Sequence, residues 1–118
     1  MDRSRAKEIG YAWLLTQRNI WATFELDRII ESQPDVALDI IEYMVSIEND
    51  RESLDMIGVG PIEELISESG TLVVDRIVSL VEMDEKFASC VAKAWKSTSD
   101  DEVWGRIQKA LRKFGHEI

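Results

Sequence analysis

The amino-acid sequence predicts an all-α fold, a compact bundle or HEAT-like stack of about eight short antiparallel helices forming one domain over residues 1–118. Three observations carry that expectation. Apolar side chains recur at i, i+3 and i+4 along most of the chain, the spacing that gathers them on one helical face. No segment alternates apolar and polar residues between hairpin-type turns, as half-buried strands do. Residues that start and stop helices recur at intervals of one short helix.

Taken in order, Ile9, Ala12, Trp13 and Thr16 mark a first helix, and Ala22, Leu26, Ile29 and Ile30 a second. Pro34 suits the first turn of a third, where its missing N–H is not needed, and Ala37, Ile40, Ile41, Met44 and Val45 supply its stripe. Asn49 with Glu52 has capping-box spacing for the next helix. In IGVGPIEELI, residues 57–66, Gly58 or Gly60 is expected to stop a helix and Pro61 to open another. Glu63 and Glu64 would then complement the positive end of the new helix dipole, with Ile62, Leu65 and Ile66 facing inward. TLVVDRIVSLV is rich in β-branched residues, but Val74, Ile77, Val78 and Val81 keep helical period. Asp84 can cap a helix carrying Phe87, Cys90, Val91, Ala94 and Trp95. Ser99 with Glu102 repeats the capping-box spacing ahead of Val103, Ile107, Ala110, Leu111 and Phe114. Gly70 and Gly115 stand where helices end in the left-handed conformation. A shift of 36 residues lays Asp39, Ile41 and Val45 on Asp75, Ile77 and Val81, a weak sign of a helical repeat.

Composition narrows the function classes. The net charge is −9, and residues 20–91 hold 17 Asp/Glu against 4 Lys/Arg, a net −13. Such a block repels nucleic-acid phosphates and anionic membrane surfaces. Solubility and a basic protein partner are the two readings left. One cysteine, Cys90, precludes an internal disulfide and suits a reducing cytoplasm. No apolar run is long enough to span a bilayer, and the start lacks the pattern of a cleaved leader.

Little in the chain has the pattern of catalysis. The one histidine, His116, lies near the end, and Cys90 sits on an apolar stripe where thiols are inert. No zinc spacing exists, and no cofactor or metal is expected. Glu48, Asp50, Glu52 and Asp55 alternate like a calcium loop but lack its glycine and terminal glutamate. The glycines at 58 and 60 lack the lysine of a phosphate loop.

The run GVGPIEELISESG through MDEKFASCVAKAW resembles a family of small, mainly bacterial proteins of unknown function that share a Gly-x-Gly-Pro-Leu/Ile-Glu-Asp/Glu-Leu segment. The matching positions are Gly58, Gly60, Pro61, Ile62, Glu63, Glu64, Leu65, Gly70, Asp84, Phe87, Val91 and Trp95, with isoleucine at 62 where leucine is more usual. The resemblance implies an all-helical cytoplasmic domain without assigned catalytic residues. Together these observations lead to an expectation of a non-enzymatic acidic interaction protein, of the immunity or inhibitor kind, binding a basic partner. Glu48, Asp50, Glu52, Asp55, Glu63, Glu64 and Glu68 are its candidate contacts. Three alternatives stand beside it: a phage-type anti-defence protein mimicking nucleic-acid charge, a carboxylate or metal enzyme using Glu63 and Glu64, and a homodimer joined through Trp13, Trp21 and Trp104.

Overall fold

The structure is a computed structural model that describes residues 2–15, 20–94 and 101–116. Seven α-helices appear among them: α1 (Arg3–Leu15), α2 (Ile20–Ser32), α3 (Pro34–Ile47), α4 (Arg51–Ile57), α5 (Glu63–Met83), α6 (Glu85–Val91) and α7 (Asp101–Arg112). A π-helical turn, Gly58–Ile62, joins α4 to α5. No strand occurs among the described residues, and no helix is long and apolar enough to cross a membrane. The radius of gyration is 13.1 Å. A globule of ~100 residues has about 13 Å, so the helices gather round one centre rather than string out as an array.

That centre is formed by α3 and α5. The first packs against α1, α2 and α5, and the second also takes α6 and α7. The expected stripe of α3 is fully inward, from Ala37 through Ile40, Ile41 and Met44 to Val45. Val74, Ile77 and Val81 of α5 are buried as well, which settles the valine-rich segment as helix. Each large aliphatic side chain so buried contributes about 1.5–3 kcal/mol. Arg76 of α5 bridges to α3, donating to the Asp35 carbonyl at 3.0 Å and the Asp39 carboxylate at 2.7 Å. Arg106 of α7 reaches Asp75 at 2.7 Å. These pairs are exposed and orient more than they stabilise.

Helix ends follow the expected chemistry at several points. Pro34 occupies the first turn of α3. Asp84 accepts the N–H groups of Lys86 and Phe87 at 3.0 and 3.2 Å, starting α6. Gly115 is left-handed, with φ of 76°. The cap of α4 is one residue later than expected: Asp50, not Asn49, accepts the Ser53 N–H, at 3.1 Å. Thr16, Trp95 and Ser99 lie outside the described residues.

Three expectations are overturned. The chain does not break at Gly58–Pro61. It stays helical from Arg51 to Met83, with the Glu63 N–H donating to the Gly58 carbonyl five residues back. Proline has no N–H to donate, and the wider π turn absorbs that missing bond without ending the helix. Gly60 assists, because proline disfavours the helical conformation in a preceding residue that carries a Cβ. Gly70 does not end a helix either: it lies inside α5, just after a kink at Ser69 (φ −142°, ψ 28°). A Cβ on Gly70 would stand 3.0 Å from Val103, so glycine there lets α7 lie close. Finally, Phe114 falls beyond α7 and is exposed, while Trp104 is buried and unavailable to a dimer contact.

Gly58 carries the tightest contact. A Cβ built on it would lie 2.1 Å from the Cys90 carbonyl oxygen, a backbone atom that cannot swing aside. Its chain neighbours and its own helix backbone aside, nothing stands within 4 Å of a Cβ on Gly60. Gly58→Ala is therefore expected to destabilise by about 3 kcal/mol, and Gly60→Ala to stay within about 1 kcal/mol of the parent. Urea unfolding of both variants, followed by circular dichroism, checks the contrast.

Candidate functional site

The continuous α4–π–α5 rod decides what the glutamates of IGVGPIEELI face. Glu63 and Glu64 do not sit at a free helix start, since the N-terminus of the rod is at Arg51. No dipole end therefore stabilises their charge. Glu64 instead points towards α2. Burial pushes its carboxyl up to about 7, reinforced by a hydrogen bond with Asp27 and by the charges of Asp27, Glu68 and Glu31. The hydrogen bond raises Glu64 because the protonated form donates to Asp27, while ionisation would leave carboxylates facing each other.

Asp27, Glu31, Glu64 and Glu68 thus form one acidic cluster across α2 and α5. None of the four makes an ion pair among the described residues. Nearby Glu25 shows the contrary case. Its carboxyl is held below the usual range by hydrogen bonds from Arg28, whose own pKa is raised in return. One α2 acid is neutralised and the next two are not. Among the described residues, no three metal-ligating side chains converge closely enough to hold an ion.

The seven acids expected to meet a partner divide by what they do. Glu48 accepts the N–H groups of Asn49 and Asp50, both at 2.9 Å, shaping the α3–α4 turn. Asp50 caps α4, and Asp55 is held by Arg51 at 2.8 Å. Glu52 is exposed in the first turn of α4. Glu63 is half-buried at the start of α5. Only Glu64 and Glu68 join the unneutralised cluster, and two of its members, Asp27 and Glu31, were missed. Their i, i+4 spacing opposite the buried face of α2 was the available signal.

Elsewhere the chemistry is quieter. Cys90 is buried, and desolvation pushes its thiol up to about 11, so it stays protonated. His116 lines a cavity of about 430 Å³ with Arg51, Asp55, Ser89 and Lys93. A larger cleft of about 550 Å³ lies between α1 and α3, lined by Arg3, Lys7, Asp39, Glu42 and Tyr43. Its acids already face Arg76, and Lys7 lies over the Tyr43 ring at 5.6 Å.

A model of a family of unknown function, DUF6869, matches residues 14–114. The chain belongs to this family. The matched span includes all four clustered carboxylates and the Gly58–Pro61 turn. No curated protein and no solved structure matches the chain.

The cluster has a direct consequence for stability. Unfolded, Glu64 titrates at its ordinary 4.5; folded, it holds its proton to about 7. Between those values the folded state binds the extra proton, so stability falls as pH rises and the penalty is complete above 7. Urea midpoints are expected to be higher at about pH 5.5 than at about pH 8. Glu64→Gln should flatten that slope and add about 1 kcal/mol at the higher pH, solvent screening keeping the gain small.

Proposed function

We propose that this protein is a non-enzymatic interaction domain, of the immunity or inhibitor kind, that binds a basic partner protein through its α2–α5 face. The observation that supports this most is the cluster of Asp27, Glu31, Glu64 and Glu68, where burial and crowding hold a proton on Glu64 near neutrality and no cation stands among the described residues. Lysine or arginine side chains from a partner would relieve that repulsion and release the proton. Charge complementarity of this kind speeds encounter and makes it sensitive to salt. The protein would act in a reducing compartment such as the cytoplasm, in keeping with a single, buried, unpaired cysteine.

A second reading draws on the same face. Asp27 with Glu31 and Glu64 with Glu68 form two i, i+4 pairs, with charges about 6 Å apart along each helix. Short parallel rows of negative charge are what a mimic of nucleic acid would present to a DNA-binding or nuclease partner. The carboxylate-enzyme reading has less support, since Glu63 and Glu64 are adjacent helical residues and project about 100° apart.

Affinity capture distinguishes these readings. A partner with a basic surface is expected to be retained at about 50 mM salt and lost at about 500 mM. A variant carrying Asp27→Asn, Glu31→Gln, Glu64→Gln and Glu68→Gln should recover none of it. Undiminished capture by that variant, or capture indifferent to salt, would contradict the proposal. Competition by duplex DNA for the same partner would favour charge mimicry.

A further inference from the structure

Helix α2 buries one face and leaves the other uncovered. Ala22, Leu26, Ile29 and Ile30 point into the core. Ile20, Phe24, Asp27 and Glu31 recur at i, i+4, i+7 and i+11, which at 3.6 residues per turn is a single stripe on the outer side. The stripe has two ends of different chemistry. At one, Ile20 is 64% exposed and Phe24 68% exposed. At the other, about two turns away, Asp27 and Glu31 meet Glu64 and Glu68 of α5.

Among the described residues, neither end is neutralised or covered. Arg28 is engaged with Glu25 and does not neutralise the stripe. Arg5 of α1 lies over the ring of Trp21, 5.2 Å from its centroid. Tyr11 and Leu15 of α1 are exposed as well, at 55% and 60%. Large side chains left in water together, beside unpaired charge, are the composition of a binding surface rather than of an ordinary exterior.

Resting on the basic-partner reading above, we infer that this stripe docks a basic amphipathic segment of a partner protein, whose apolar side chains cover Ile20 and Phe24 and whose lysines or arginines reach Asp27, Glu31, Glu64 and Glu68. Charge selects that occupant. A second copy of this chain, at net −9, would bring more like charge. Nucleic acid and anionic lipid carry the wrong sign. A basic tail lacking apolar residues would satisfy the carboxylates and leave Phe24 in water. A segment with both features, laid along α2, covers both ends of the stripe in the manner of helix-in-surface recognition. Binding also draws the proton off Glu64, whose neighbours are Asp27 and Glu31 on α2 and Glu68 on its own helix, so affinity rises from about pH 6 to about pH 8.

Fluorescence anisotropy with the purified protein tests this, using a fluorescein-labelled leucine/lysine amphipathic helix and a leucine-free lysine peptide of the same charge. The leucine/lysine peptide is expected to bind at least about tenfold tighter than its leucine-free counterpart. Phe24→Ala should abolish that advantage, and Glu64→Gln with Glu68→Gln should weaken both peptides and lower their salt dependence. Glu85→Gln, at an exposed position on α6, should leave the binding of both peptides within about twofold. Phe24 is exposed, so its variant keeps the fold, which circular dichroism verifies. Equal binding of the two peptides overturns the apolar half of the proposal and leaves the basic-partner reading standing. Binding of neither peptide overturns both. If sedimentation shows a dimer that Phe24→Ala dissociates, a second copy covers the stripe and the proposal fails.

Discussion

The approach of the Cys90 carbonyl to Gly58 is the constraint on which the rest of the arrangement depends. Helix α6 comes so close to the π turn that no side chain fits between them. Glycine at 58 permits the contact, proline at 61 obliges the helix to widen, and the π turn lets it continue. A break at this point would have reset the direction of α5. Continuity instead carries the rod past α2 with Glu64 turned towards Asp27. The position of the one raised carboxyl among the described residues is thus a consequence of backbone packing at the π turn. Interior backbone packs densely and deforms little, so a steric fact at Gly58 becomes an electrostatic fact at Glu64.

That electrostatic fact runs against stability. A carboxylate at a free helix N-terminus gains from the dipole, whereas one in mid-rod beside three others loses. The molecule does not lack cations for the task. Arg76 binds Asp39, Arg51 binds Asp55, Arg106 binds Asp75 and Lys113 binds Glu82. Several acids elsewhere on the globule thus have a cation, while among the described residues these four have none. Perturbed carboxyls of this sort concentrate at functional sites, and structural ion-pair networks do not account for this one, because it contains no cation among the described residues.

How much of this was legible in the sequence varies with the range of the interaction. Stripes such as Ala37 to Val45 and the cap at Asp84 depend on residues within two turns of each other, and both were readable. The capping of α4 shifted by one residue because Asn49 and Asp50 are both good caps, and the Glu48 carboxylate occupies the N–H groups of both. Gly58, Gly60 and Pro61 have the signature of a helix break, and local rules favour one. The contact with Cys90, 32 residues away in sequence, overrides those rules. Gly70 misleads in the same way: its reason is Val103 on a different helix, not a left-handed turn. The acidic cluster was half legible. Glu64 and Glu68 stood out for their company in the motif, but Asp27 and Glu31 join them only through the packing of α2 on α5.

The exposed-tryptophan idea fails for Trp104 and yet points the right way. Trp104 is core, while Trp21 stays 42% exposed with Arg5 lying over its ring. The apolar residues left most exposed on this side are instead Ile20 and Phe24, which complete no inward stripe and so carried no signal of burial. An amphipathic helix normally spends its outer face on charge, because charged residues keep the surface soluble at little cost to the fold. Helix α2 follows that rule for its last two turns and departs from it in the first two. The departure adds nothing to folding, since neither side chain reaches the core. Nor does it help solubility. Placed one turn from carboxylates that cost the fold stability, it makes the outer side of α2 the part of the molecule least explained by folding alone. Local conflict with the folding rules, without a compensating gain in the free protein, is where a binding partner has the most to supply.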